Sequence, residues 1–78
     1  MPHISVKMLK GRTEEQKERL AAALRDTLMR ELHASSAHVS VAVEDYTPEE
    51  WQRVFREEIT DKPAAVRIRP GYDPKDLL

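Results

Sequence analysis

Two short alternating segments on either side of one long amphipathic segment constrain the fold of this chain most strongly. Residues 2–9 alternate apolar and polar side chains, and residues 39–44 do the same with valine at every second position. Between them, leucines recur at every fourth residue from Leu20 to Leu32, which is the spacing of a helix with one apolar face. A strand, a helix and a strand in this order predict a βαβ unit with parallel strands and a right-handed crossover.

Both predicted helices have a recognisable start. Thr13 and Gln16 fit a capping box that follows the turn at Gly11. The second helix begins in the segment 47–50, where a threonine N-cap precedes a proline and two glutamates. Its apolar face consists of Trp51, Val54, Phe55 and Ile59. The sequence therefore predicts the α/β (α+β) fold class, with a second, short C-terminal helix after the βαβ unit.

The segment after the second helix has a weaker pattern. Val66 and Ile68 alternate with two arginines, which predicts a short tail strand over residues 64–69. Pro70 and Gly71 predict a turn, and we expect the residues after this turn to be mobile.

The length of 78 residues predicts a single domain with a small core. There is no cysteine, so disulfides cannot supplement that core. Two parallel strands do not form an independently stable sheet. We therefore expect a second copy of the chain to complete a four-stranded sheet in a homodimer.

Charge and composition exclude several classes of partner. A net charge of −1 with 35% charged residues argues against a nucleic-acid or membrane-binding surface, which requires clustered Lys and Arg. No apolar run is long enough to span a membrane, and no signal sequence is present, so a cytoplasmic protein is expected. The three histidines, His3, His33 and His38, lack the spacing of a metal site.

Pro2 has both a chemical and a structural interpretation. Removal of Met1, which is usual before a small residue, would leave a secondary amine at the start of a strand. Partial burial lowers the pKa of such an amine and makes it a general base at neutral pH. A proline can equally start an edge strand, where its missing N–H costs nothing. On this position alone the structural interpretation is preferred.

The order of these features resembles the 4-oxalocrotonate tautomerase family. The resemblance covers essentially the whole chain and is most specific over residues 2–17 and 38–51. His3, the helix opening at 48–51 and the Pro-Gly-Tyr segment at 70–72 are similar to its longer, dimeric branch. The resemblance implies a β-α-β protomer and keto–enol tautomerisation of 2-oxo acids without a cofactor. The segment beyond Ile59 could cap the surface through which shorter relatives form hexamers, so a dimer is preferred to a hexamer.

The resemblance also implies roles for individual residues. The proton-shuttling proline of the family falls on Pro2, its substrate-binding arginine on Arg12, and its aromatic pocket wall on Trp51. The family's second arginine falls on Ser40, so the sequence departs from the pattern there. A substrate with one carboxylate and an aromatic tail, such as phenylenolpyruvate, suits this change better than a dicarboxylate. Arg67 or Arg69 could supply a cation instead.

Two other functions remain open at this point. Related enzymes hydrate or dehalogenate small unsaturated acids, which requires water activated by an acid, and Glu44, Asp45 and Glu49 are available. The chain could also be a non-catalytic dimeric module that retains the scaffold.

Overall fold

The computed structural model describes all residues, Met1–Leu78, and resolves into two compact units, Met1–Asp45 and Tyr46–Leu78. The main elements follow the predicted order: β1 (His3–Leu9), α1 (Glu14–Leu32), β2 (Ser40–Tyr46) and α2 (Pro48–Phe55). The strands β1 and β2 pair in parallel in a two-stranded sheet, which confirms the βαβ prediction.

The boundaries of α1 follow from its capping residues. The Thr13 hydroxyl accepts a hydrogen bond from the Gln16 backbone N–H, and the Gln16 side chain accepts one from the Thr13 N–H. At the other end His33 adopts a left-handed conformation with φ 54°, and its N–H donates to the carbonyl of Met29. A left-handed residue ends a helix by satisfying a carbonyl that the next turn would have used.

The sheet has one face towards α1 and one face away from it. Val41 and Val43 line clefts shared with α1, and Asp45 pairs with Lys17 of α1. Because side chains alternate along a strand, Ser40 and Glu44 point to the opposite face. That face also carries His3, Ser5 and Lys7 of β1, since His3 contacts Ser40 and Lys7 contacts Ser5 and Glu44.

The second unit contains the only fully buried residue of the chain, Val54, which is 5% exposed. A second capping box, formed by Thr47 and Glu50, starts α2, with Pro48 in the first turn. After Phe55 the chain continues as a π-helical turn, Arg56–Thr60. The helical segment therefore ends at Asp61, two residues before Pro63.

The predicted tail strand over residues 64–69 is wrong. The chain forms turns there, in which the N–H groups of Ala65 and Val66 both donate to the carbonyl of Lys62. A strand requires a neighbouring strand as a hydrogen-bond partner, and the sheet contains only β1 and β2. The apolar alternation also has no core to face, since Ile68 is 90% exposed.

The end of the chain, for which the sequence predicts mobility, forms a capped turn. A 3-10 turn, Pro74–Leu77, begins at Asp73, whose side chain accepts a hydrogen bond from the Lys75 N–H. The amide of Gln52 donates to the carbonyl of Pro74 at 2.8 Å, which ties this turn to α2.

The apolar residues of the first unit remain partly exposed. Leu20, Leu24 and Leu28 of α1 are half-buried, and Leu32 is 64% exposed. No residue of this unit is fully buried. Neither α1 nor α2 combines the length and apolar composition needed to cross a membrane.

Candidate active site

Pro2 and Ser40 lie side by side where the two parallel strands begin. The backbone N–H of Ser40 donates to the carbonyl of Pro2 at 3.2 Å, so the ladder of hydrogen bonds starts at this pair. Pro2 is half-buried, whereas Met1 is 93% exposed. The position of Pro2 is therefore determined by its own strand and by β2. With Met1 attached, its nitrogen is an amide and has no basicity.

His3 completes this cluster from the polar face of the sheet. Its Nδ1 lies 2.6 Å from the Ser40 Oγ, and both side chains are exposed. The alternation of β1 puts His3 on the face opposite Ile4, where it could line the site or be a surface histidine, and the surface interpretation is preferred. The structure agrees that His3 is exposed but places it against Ser40, beside Pro2. Only the register of the two strands brings these residues together.

Arg12 is distant from Pro2 within one chain. It follows Gly11, whose φ of 132° favours glycine, and its guanidinium donates to the carbonyl of Leu9 at 3.4 Å. Pro2 precedes β1 and Arg12 follows it. The seven residues of β1 separate them by about 20 Å at roughly 3.3 Å per residue. Arg12 is exposed and forms no ion pair.

Trp51 belongs to an aromatic cluster in the second unit. Its ring centroid lies 6.2 Å from that of Tyr46, and its Nε1–H donates to the Tyr72 hydroxyl at 2.9 Å. Tyr72 in turn contacts the Phe55 ring edge-on at 5.6 Å. Trp51 remains half-buried, so part of its ring is accessible to solvent.

The acidic residues of β2 are already paired with lysines. Glu44 lies 2.8 Å from the Lys7 Nζ, and Asp45 lies 2.7 Å from the Lys17 Nζ. The pKa of Lys17 is raised above its usual value, mainly by its hydrogen bond to Asp45 and also by its hydrogen bond to Glu14. One oxygen of Asp45, Oδ1, is buried without a hydrogen-bond partner. No three His, Asp or Glu side chains converge in a group that could hold a metal ion.

Sequence reasoning did not find two of these contacts. The sequence predicts a mobile end after Gly71, although a tyrosine beside a Pro-Gly turn could have signalled a segment that folds back. The pairing of Lys17 with Asp45 joins residues 28 positions apart, and no local pattern predicts it.

The family model described as "Tautomerase enzyme" matches residues 2–56. The chain therefore belongs to the tautomerase family and is an isomerase of that class. The match includes the whole βαβ unit and α2, and ends before the turn-rich segment.

Curated relatives agree with this assignment. The chain is 36% identical over 73 residues to Tautomerase PptA from Escherichia coli O157:H7, with coverage of 92% of this chain and 97% of the relative. Tautomerase PptA from E. coli K12 matches at the same identity, with coverage of 92% and 95%. This confirms the predicted similarity to the longer branch of the family.

Solved structures with the same fold include two at similar identity. TomN, a 4-oxalocrotonate tautomerase homologue of the tomaymycin biosynthetic pathway, superposes with a TM-score of 0.61 at 34% identity, covering 64% of this chain and 77% of TomN. Apo unfused 4-OT gives 0.61 at 36% identity, covering 64% and 82%. YwhB, at 23% identity and a TM-score of 0.63, covers 99% of this chain and 100% of its own and shares the fold.

Proposed function

We propose that this chain is a cofactor-independent keto–enol tautomerase acting on enols of 2-oxo acids, with Pro2 as its general base once Met1 is removed. The observation that carries the proposal is the position of Pro2 at the paired ends of β1 and β2, where the Ser40 N–H holds its carbonyl. An amine on an anchored residue has a defined direction, whereas an amine on a loose terminus does not.

The proposed reaction moves one proton and one electron pair. The neutral Pro2 nitrogen takes the proton of the enol hydroxyl, the C–O bond becomes a carbonyl, and the electrons of the C=C bond reach carbon 3. The prolyl ammonium then returns the proton to that carbon, which regenerates the amine. A base with a pKa near the working pH serves both steps.

The carboxylate of the substrate requires a cation, and we assign this role to Arg12 of a second copy. About 20 Å of strand separates Arg12 from Pro2 in one chain, at roughly 3.3 Å per residue. The guanidinium has no carboxylate partner of its own and can bind a carboxylate in a bidentate geometry. The partly exposed apolar side chains of the first unit also favour a homodimer in which the sheet is completed.

The preferred substrate carries one carboxylate and an aromatic tail, as phenylenolpyruvate does. Ser40 offers a neutral hydroxyl beside Pro2, already engaged by His3, so there is no second cation at that position. The partly accessible ring of Trp51 offers an apolar wall. We propose a cytoplasmic location, and the absence of cysteine agrees with a reducing compartment.

The hydratase or dehalogenase alternative is less favoured because its candidate acids are occupied. Glu44 is paired with Lys7 and Asp45 with Lys17, so neither carboxylate is available to activate water without losing its partner. Glu49 is exposed in the first turn of α2, where a carboxylate already stabilises the helix start.

The test combines an intact mass with a rate. The mass of the purified protein is measured, and the same sample is assayed for ketonisation of phenylenolpyruvate by ultraviolet absorbance. We expect a mass without Met1 and ketonisation well above the buffer rate. Equal activity in protein that retains Met1 would contradict the role of Pro2. Met1-free protein without activity would contradict the substrate class or favour the non-catalytic module.

A further inference from the structure

The segment after α2 lines an open surface cavity that neither the family match nor the proposed reaction uses. The cavity has a volume of about 250 Å³ and is lined by Ile59, Thr60, Pro63, Val66, Arg69 and Pro70. The family match ends at residue 56, so every lining residue lies beyond it. The first two belong to the π-helical turn, and π-helical turns occur frequently at functional sites.

The lining combines an apolar body with a single cation. Two aliphatic residues and two prolines make up most of the lining, and Thr60 and Arg69 are the lining residues with polar side chains. A cavity of this kind, mostly apolar with few polar groups, is typical of small-molecule sites. Its volume is somewhat below the usual range of about 300–1,000 Å³, which favours a compact ligand.

Arg69 has no carboxylate partner within the chain. The two acids of the π-helical turn are engaged by other cations: Glu57 lies 3.9 Å from Arg53, and Glu58 lies 3.1 Å from Lys62. An arginine at the wall of an apolar cavity therefore retains its full capacity for a bidentate hydrogen bond to an anion. One cation among apolar groups matches a single negative charge better than a multiply charged phosphate.

We propose that this cavity binds a small monocarboxylate with an aromatic or branched apolar body, with Arg69 holding the carboxylate and Ile59 and Val66 contacting the body. The site is distinct from the cluster at Pro2 and would bind its ligand whether or not the chain catalyses tautomerisation. Thr60 can donate a further hydrogen bond to the carboxylate.

The probe for this site is phenylacetate, which has one carboxylate and one ring but no carbonyl to tautomerise. It is titrated into ¹⁵N-labelled full-length protein while the backbone amide shifts are followed. We expect saturable shifts in residues 59–70, and weaker binding of acetate, which lacks the apolar body. Arg69→Gln should weaken phenylacetate binding about tenfold, as expected for loss of a charge-assisted hydrogen bond at a partly exposed site.

Arg67→Gln is the matched control, because Arg67 is exposed, unpaired and two residues away but does not line the cavity. It should bind the probe as the wild type does. Equal weakening in both variants would show diffuse attraction and overturn the proposal. Shifts confined to residues near Pro2 would also overturn it. The absence of shifts in residues 59–70 at the highest probe concentration would overturn the proposal as well. That result is expected if a second copy fills the cavity.

Discussion

The two units of this chain differ in how they cover their apolar side chains. The second unit closes around Val54, which is 5% exposed, and is held by ring contacts and by the hydrogen bond from Trp51 to Tyr72. The first unit has no fully buried residue, and its helix leaves Leu32 64% exposed. We therefore expect a second copy to complete the unit that carries Pro2.

The family match divides the chain at a later point than the two units do. It includes the entire first unit and α2, and it stops at residue 56, before the turns that complete the second unit. The proposed proton transfer by Pro2 thus belongs to the first unit, whose apolar side chains are only partly covered within one chain. The segment beyond the match supplies its own contacts, including Tyr72, whose hydroxyl accepts a hydrogen bond from the Trp51 Nε1–H.

The largest effect expected in either unit is that of Pro2→Ala. It replaces a constrained secondary amine by a more solvated primary amine, and general-base contributions are about 10²–10⁴-fold. We expect kcat/KM for phenylenolpyruvate to fall within that range while the thermal midpoint stays unchanged. Ser5→Ala, on the same strand, is the control and should retain activity. Wild-type rates in Pro2→Ala would mean that another group carries the proton.

Ser40→Arg should change substrate preference by the next largest amount. A hydrogen bond to a charged group contributes about 1.5–3 kcal/mol, so a new arginine should favour a dicarboxylate dienol by about tenfold to a hundredfold. The measurement is the ratio of kcat/KM for a 2-hydroxymuconate-type dienol to that for phenylenolpyruvate. Ser40→Ala should leave this ratio unchanged. A wild-type enzyme that already prefers the dicarboxylate would refute the monocarboxylate assignment.

Tyr72→Phe tests whether the hydrogen bond between Tyr72 and Trp51 stabilises the second unit. It keeps a ring against Phe55 but removes the acceptor of the Trp51 Nε1–H. A hydrogen bond of this kind contributes about 1 kcal/mol to the free energy of unfolding. Urea unfolding followed by fluorescence of the single tryptophan should show this loss. Ile68→Ala, at a residue 90% exposed, should have almost no effect. A Tyr72→Phe variant as stable as the wild type would show that this contact does not hold the segment.

The smallest effect expected is a pH dependence in the first unit. The pKa of Lys17 is raised from its ordinary 10.5 in the folded state, chiefly by Asp45. The resulting stability is present below that ordinary value and is lost as the pH rises through the folded-state pKa. Asp45→Asn should therefore lower the thermal midpoint near neutral pH, and the difference from wild type should shrink above pH 10.5. Asp26→Asn, which breaks an exposed pair with Arg25, is the control. A difference that does not change with pH would contradict the assignment to Lys17.

The sequence predicted the elements of this fold well because their signals are local. Thr13 with Gln16, and Thr47 with Pro48, mark helix starts by residues only a few positions apart, and each is found as predicted. The prediction of a tail strand was wrong because the alternation of Val66 and Ile68 produces a strand only where a partner strand is available.

The candidate site was predictable only in part. The position of Pro2 at a strand start follows from local pattern and family resemblance. Its contact with Ser40, and that of Ser40 with His3, depend on strand register, which is a long-range property. The distance between Arg12 and Pro2 within one chain follows from the length of β1, which lies between them.

We expect one catalytic site to combine Pro2 of one copy with Arg12 of another. The most direct measurement mixes Pro2→Ala and Arg12→Gln protomers, unfolds and refolds them together, and follows phenylenolpyruvate ketonisation. Each variant refolded alone should be nearly inactive. Half of the dimers in an equal mixture are mixed, and each has one intact site of two, so we predict about a quarter of wild-type activity. A mixture no more active than the average of the two variants would show that Pro2 and Arg12 do not act together across copies.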